Sequence, residues 1–193
     1  MTKYAFAINL HRCVGCRTCT VSCKMENAVA DGLQRIRVLN DASETTLDAP
    51  AGVYPNVSFL WRPVPCQHCD EPPCIDPCPV EATWKRDDGV VVVDKELCIG
   101  CDSCIKMCPY DARFLDETAG VVDKCDLCIR RLSNGEEKTM CELCCPNRAI
   151  TVGDLDDPES AISKIIAEND VERYDEEAGT QPNVYYWWSV KKA

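Results

Sequence analysis

Sixteen of the 17 cysteines in this chain of 193 residues fall into four groups of four, and that spacing constrains the fold more than any apolar run does. The groups are Cys13, Cys16, Cys19 and Cys23; Cys66, Cys69, Cys74 and Cys78; Cys98, Cys101, Cys104 and Cys108; and Cys125, Cys128, Cys141 and Cys145. The first and third read C-x2-C-x2-C-x3-C without a gap. The second stretches one interval to four residues and the fourth opens a loop of twelve, yet all four keep the terminal C-x3-C. Proline follows the last cysteine in three of them.

Three thiols two residues apart can curl around one corner of a cubane, whereas the cysteine beyond the x3 gap is led away and a following proline turns the chain. In two-cluster ferredoxins that fourth thiolate ligates the other cluster, so such motifs come in pairs. Four motifs therefore imply two pairs and four 4Fe-4S clusters. Structural zinc needs pairs of C-x2-C and leaves the third cysteine of each triplet unexplained. A disulfide framework suits small secreted chains and fits triplets at x2 spacing poorly. Cys144 lies beside Cys145, but the x3 spacing from Cys141 and the adjacent Pro146 select Cys145; Cys144 reads as a small buried filler.

A chain of this length forms one domain or two small ones, and the clusters must supply part of its core, so iron–sulfur assembly is expected to be coupled to folding. With 21 Lys and Arg against 32 Asp and Glu, the formal charge is −11, which disfavours nucleic acid as a partner. No apolar stretch has the length of a membrane span, and the residues before Cys13 are too few for a signal peptide, so the sequence reads as soluble, without a direct membrane span. Glycine-rich phosphate loops and Ser/His/Asp arrangements are absent, so the chain is not expected to be an enzyme by itself.

An apolar run, a cysteine triplet and a helix-like stretch recur around each motif. Residues 4–10 and 89–94 read as strands, 18–28 and 103–107 as short helices, and a strand is expected near 57–62 within a long insertion. Asp157-Pro158 reads as the N-cap and first turn of a helix placing Ile162, Ile165 and Ile166 on one face. The aromatic tail 183–190 is expected to dock on a partner subunit, the alternative being that it closes the chain's own sheet. Arg12, Lys124, Arg130 and Arg131 lie near ligands and could raise cluster potentials. His68, inside CQHC, reads as packing or a hydrogen-bonding neighbour ahead of a ligand.

The order C-x2-C-x2-C-x3-C, CxHCxxPPCxxxCP, CIGCxxCxxxCPY, KCDLC…CxxxCP resembles the four-cluster ferredoxin-like electron-transfer subunits of molybdopterin oxidoreductases, the dimethyl sulfoxide reductase family. Segments 153–160 and 178–186 are similar to the ends of arsenate reductase small subunits, and 62–69 to the subunit of pyrogallol transhydroxylase; polysulfide and tetrathionate reductase subunits lie in the same neighbourhood. The resemblance implies an α+β fold of two ferredoxin-like modules related by a pseudo-twofold, with loop insertions and a C-terminal extension. Residues 1–30 with 109–160 would form the half holding motifs one and four, 60–108 the other half, 31–59 an inserted loop, and 161–193 an extension docking on a partner.

It further implies that Cys13, Cys16 and Cys19 share a cluster with Cys145; Cys66, Cys69 and Cys74 with Cys108; Cys98, Cys101 and Cys104 with Cys78; and Cys125, Cys128 and Cys141 with Cys23. The half with motifs one and four would face the catalytic subunit. The expected partners are a large molybdopterin catalytic subunit, with molybdenum or tungsten, and an electron donor or acceptor, either a membrane quinone-linked subunit or a cytochrome. Resemblance to the respiratory enzymes favours the periplasm by co-export with a partner, and resemblance to the transhydroxylase the cytoplasm. A free-standing diffusible polyferredoxin and a cluster-bearing sensor are the competing functions; the long loop and aromatic tail favour a fixed partner.

Overall fold

Alternating apolar residues in YAFAIN place a strand at the start of the chain, and in the computed structural model, which describes residues 2–40 and 50–190, that strand is the spine of the fold. Along the chain, β1 (Tyr4–Asn9) leads to α1 (Thr18–Asn27), β2 (Arg37–Asn40), the hairpin β3 (Ala51–Val53) and β4 (Asn56–Ser58), and β5 (Trp61–Val64). The middle of the chain forms β6 (Thr83–Lys85), β7 (Val91–Val93), α2 (Ser103–Lys106), β8 (Arg113–Asp116) and β9 (Val121–Lys124). Then come α3 (Ile129–Ser133), α4 (Met140–Leu143), β10 (Ile150–Asp154), α5 (Ala161–Glu168), β11 (Asn169–Arg173) and β12 (Val184–Val190).

The main sheet runs β10-β1-β12-β11, with β1 antiparallel to β10 and parallel to β12. Two-stranded ribbons β2–β5, β3–β4, β6–β7 and β8–β9 surround it. Such ribbons are marginal alone in water, so each depends on the core it covers. The main apolar cluster joins Phe6 and Ile8 of β1, and Leu10 just beyond it, to Val184 and Tyr186 of β12 and to cysteines from motifs one, two and four. On the opposite face of the sheet, Ala5, Ala7 and Tyr185 meet Ile162 of α5. Ile162 is fully buried, worth about 2 to 3 kcal/mol of apolar transfer.

The structure differs from expectation in several places. The aromatic tail is an interior strand, flanked by β1 and β11, and closes the chain's own sheet, the alternative of the two expectations; Tyr186 is fully buried and its hydroxyl donates to Pro63 O at 2.9 Å. Of its tryptophans, Trp188 is exposed. The hairpin β8–β9, placed by sequence with motifs one and four, packs with motifs two and three: Val122 and Leu115 join Cys74, Cys98 and Cys104 in one apolar cluster. Its apolar face decides this, since β9 lies against β7 and Val91 of β7 belongs to the same cluster.

The N-cap of α5 is Ser160, whose hydroxyl accepts from Ser163 N at 3.2 Å, while Asp157 accepts from Glu159 N in the preceding turn. After the second triplet there is a turn and no helix, and Pro77, three residues beyond Cys74, supplies no amide to a helical ladder. The expected strand near 57–62 is split into β4 and β5. Of the expected inserted loop 31–59, residues 41–49 lie outside the described residues, as do 191–193 of the expected extension; the part before them contains β2, which pairs with β5, and the part after them is the β3–β4 hairpin.

Candidate iron–sulfur sites

Each cysteine loop needs a backbone reversal that an ordinary residue resists, and the four loops solve it at the same position. The residue before the second cysteine is left-handed in every motif: Gly15 (φ 66°), His68 (43°), Gly100 (66°) and Leu127 (58°). For a non-glycine residue this costs roughly 1 to 2 kcal/mol. The third residue after the last cysteine is also left-handed in three motifs, at Glu81 (52°), Asp111 (49°) and Arg148 (52°). That turn aims the next amide back at sulfur. Ala82 N donates to Cys78 Sγ at 3.2 Å, Ala149 N to Cys145 Sγ at 3.2 Å, and Ala112 N to Cys108. The recurrent C-P-x-x-A that encodes this stands in the sequence, although cysteine spacing alone does not point to it.

Cys23 lacks the proline, and α1 continues through it to Asn27. There the side chain replaces the backbone: Asn27 Nδ2 donates to Cys23 Sγ at 3.5 Å and to Cys23 O at 3.0 Å.

These loops bring thiols from distant motifs together. Cys13, Cys16, Cys19 and Cys145 line one apolar pocket, together with Val38, Pro63 and Ile150. Cys66, Cys69, Cys74 and Cys108 line a second, with Pro72, Val91 and Tyr110. Cys23, Cys125, Cys128 and Cys141 are all buried; Cys23 lies within electrostatic reach of Cys128, Cys125 of Cys23 and Cys141, and Cys141 of Cys128 and Cys23. Of the remaining set, Cys98 and Cys104 share an apolar cluster, Cys101 is exposed and Cys78 is half-buried. Among the described residues, no three His, Cys, Asp or Glu side chains converge as a single metal ion would require. Soft thiol donors spaced around a void suit a polynuclear iron–sulfur body instead.

Protonation follows burial. Burial, reinforced by Cys13 and Cys145, pushes the Cys19 thiol up to about 12, and burial pushes Cys23 and Cys69 up to about 12 and Cys74 to about 11. These four buried thiols are therefore neutral at pH 7, and metal must displace their protons to bind. The exposed pair behaves differently. The Ser103 hydroxyl and amide lower Cys101, and bonds from Thr18 outweigh the small burial of Cys16 and lower it.

The charged residues near the thiols divide into those the sequence points to and those it does not. Lys124 is buried, with Nζ donating to Val91 O and to Cys125 O. Arg130 and Arg131 instead pair with Glu26, and Arg131 also with Glu136, which offsets their charge. Arg12 lines the first cavity. Missed entirely by sequence reasoning are Arg35, in a buried pair with Asp123 (2.8 Å) and near Asp126 (3.1 Å), and Arg113, 2% exposed and bonded to Cys74. His68 accepts from Val91 N through Nδ1 at 3.1 Å, and burial together with Lys124, Arg113 and Lys85 keeps its ring neutral, so Nδ1 is occupied by the backbone. Cys144 is half-buried and bonds the Met140 sulfur.

Fold and thiol sets together define an iron–sulfur electron-transfer protein. Two families described as 4Fe-4S dicluster domains match the chain, over residues 57–155 and 12–83. A Halobacterium salinarum protein provisionally named as the iron–sulfur subunit of a dimethyl sulfoxide reductase is 38% identical over 96% of this chain and 79% of its own length. A tetrathionate reductase subunit of Salmonella typhimurium is 38% identical over 95% of this chain and 72% of its own, and a polysulfide reductase chain of Wolinella succinogenes 35% over 95% and 93%. The chain belongs to the 4Fe-4S dicluster family of iron–sulfur subunits of reductase complexes. It is an electron-transfer subunit of that family.

Proposed function

We propose that this chain holds four 4Fe-4S clusters and carries electrons between a redox partner and a catalytic subunit bearing a molybdenum or tungsten pterin. When bound, each cluster accepts and releases one electron at a potential set by charge, exposure and hydrogen bonds to sulfur. The observation that carries the reading is the cavity in which Cys145 completes the triplet of Cys13, Cys16 and Cys19 across more than a hundred residues.

The same cross-pairing is proposed for the other three sets: Cys23 with Cys125, Cys128 and Cys141; Cys108 with Cys66, Cys69 and Cys74; and Cys78 with Cys98, Cys101 and Cys104. Two ferredoxin-like modules related by a pseudo-twofold follow from that exchange of fourth ligands. Support comes from the repeated left-handed turns at Glu81, Asp111 and Arg148.

Proximity suggests an order for the sites. Cys141 feels the charge of Cys19, which links motif four to motif one, and Cys125 feels Cys66, which links motif four to motif two. Arg113 reaches both Cys74 and Cys104, which links motif two to motif three. The route therefore runs from motif one through four and two to three, and both ends carry an exposed thiol, Cys16 and Cys101. Exposed apolar residues flank them: Val14 at one end, and Leu97, Ile99 and Met107 at the other. These ends are where the catalytic subunit and the quinone-linked or cytochrome partner would dock, the catalytic subunit at motif one. Co-export to the periplasm with a partner is the location proposed, the cytoplasm being the alternative.

Anaerobic affinity purification from the native host, with metal analysis, tests this. A large partner containing molybdenum or tungsten is expected. A lone, iron-loaded monomer would instead establish a diffusible polyferredoxin.

A further inference from the structure

Arg113 carries a charge in a place where a charge is costly. It is 2% exposed, and among the described residues it makes no ion pair with a carboxylate. An uncompensated buried ion costs several kcal/mol, so something negative must be expected nearby. Nη2 donates to Cys74 Sγ at 3.0 Å, Nη1 to Thr83 Oγ1 at 3.2 Å, and the side chain also bonds Cys104. Nε is buried with no partner. Cys74 and Cys104 belong to different thiol sets, so one planar fork spans two sites. Lys124 stands close by, equally buried, with its Nζ bonded to the carbonyls of Val91 and Cys125.

Among the described residues nothing in the bare chain balances this cation, because the neighbouring thiols are neutral when protonated. Thiolate-held iron–sulfur clusters are anionic, and reduction makes them more so. We propose that Arg113 is a shared counter-charge that holds the two clusters of motifs two and three at similar, raised potentials by favouring the reduced form of both. It is a positioning and tuning residue, not a ligand. This rests on the reading that those eight cysteines hold two clusters.

The test is a redox titration, monitored by electron paramagnetic resonance, of the purified holo-complex carrying Arg113→Gln, Arg113→Lys or Thr83→Val. The wild-type complex must show four clusters by iron count; a smaller number defeats the underlying reading independently of Arg113. Given four, Arg113→Gln is expected to move the reduction equilibrium of two clusters about tenfold toward the oxidised form, about 59 mV for one electron, and to leave the other two in place. Arg113→Lys, which keeps the charge and loses the fork, should shift the same two by less. If Arg113→Gln fails to load iron, Thr83→Val decides the question, because it frees the guanidinium without removing charge and should alter the same two potentials. An unchanged set of potentials, an equal shift in all four, or a shift confined to one cluster would overturn the bridging role.

Discussion

Asn27 Nδ2 lies 3.5 Å from Cys23 Sγ and supplies from a side chain the hydrogen bond that the backbone amides of Ala82 and Ala149 give to Cys78 and Cys145 at 3.2 Å. The difference follows from α1, which continues where the other motifs turn at proline, so the Asn27 backbone amide is not free to bend toward sulfur. A bond to sulfur favours the reduced cluster. Asn27→Ala should therefore lower the potential of the cluster held by Cys23, Cys125, Cys128 and Cys141 by roughly 20 to 60 mV, for a bond worth about 0.5 to 1.4 kcal/mol. Potentiometric titration of that signal checks this, and no change would mean the amide serves only the helix terminus.

Gly15 is the backbone pivot of the first loop. A Cβ there would lie 2.4 Å from the Trp61 ring, which stacks near Phe59 and sits under Arg17. Gly15→Ala should lose iron from the first site and lower the melting temperature. Gly120→Ala, at φ 67° with nothing within 4 Å, isolates the backbone strain of roughly 1 to 2 kcal/mol and should keep all its iron. Equal iron content in both variants would show that the Trp61 cover is dispensable.

Asp70, inside motif two, ties Lys3 at the start of β1 to Lys85 of β6 and to Asn183 just before β12. It bonds Lys3 and Lys85 at 2.7 Å each and Asn183 at 2.9 Å. Partial burial would raise its carboxyl, but those three donors outweigh it and hold it at about 2 against an ordinary 3.8. A depressed folded-state value means the stability is present above pH 3.8 and is lost as pH falls toward 2. With screening at this partly exposed site, Asp70→Asn should cost about 1 kcal/mol at pH 7, and nothing near pH 2. Denaturant melts at the two pH values decide it.

Exposure of Cys16 and Cys101 makes the two ends of the proposed route vulnerable. Air or ferricyanide should degrade the clusters of motifs one and three before those held by the buried thiols of motifs two and four, since oxidation follows thiolate character and access. Spectra taken during stepwise oxidation should show two signals lost early. Simultaneous loss of all four would mean the chain gives no unequal protection.

The thiol groupings and the strands and helices around them are legible in the sequence because they are local: x2 spacing, alternation in 4–9, and a helix that continues past Cys23. What stays hidden depends on long-range packing. The tail β12 has Tyr186 in the main cluster and Tyr185 against Ile162 on the other face, so it is covered on both sides and reads as a continuous aromatic run without alternation. That pattern looks like an interface until its neighbours are known. Arg113 is equally silent, because an arginine in a short strand is ordinary until its surroundings turn out to hold sulfur and, among the described residues, no carboxylate paired with it.

The exchange of fourth ligands between motifs is most directly tested by comparing single cysteine-to-serine variants of the iron-loaded chain, each with its iron count and electron paramagnetic resonance spectrum. With about sixteen irons in the wild type, Cys145→Ser should perturb the same signal as Cys19→Ser, and Cys23→Ser the same signal as Cys141→Ser. If Cys145→Ser instead alters the signal altered by Cys141→Ser, each motif keeps its own four thiols and the paired-site account is wrong.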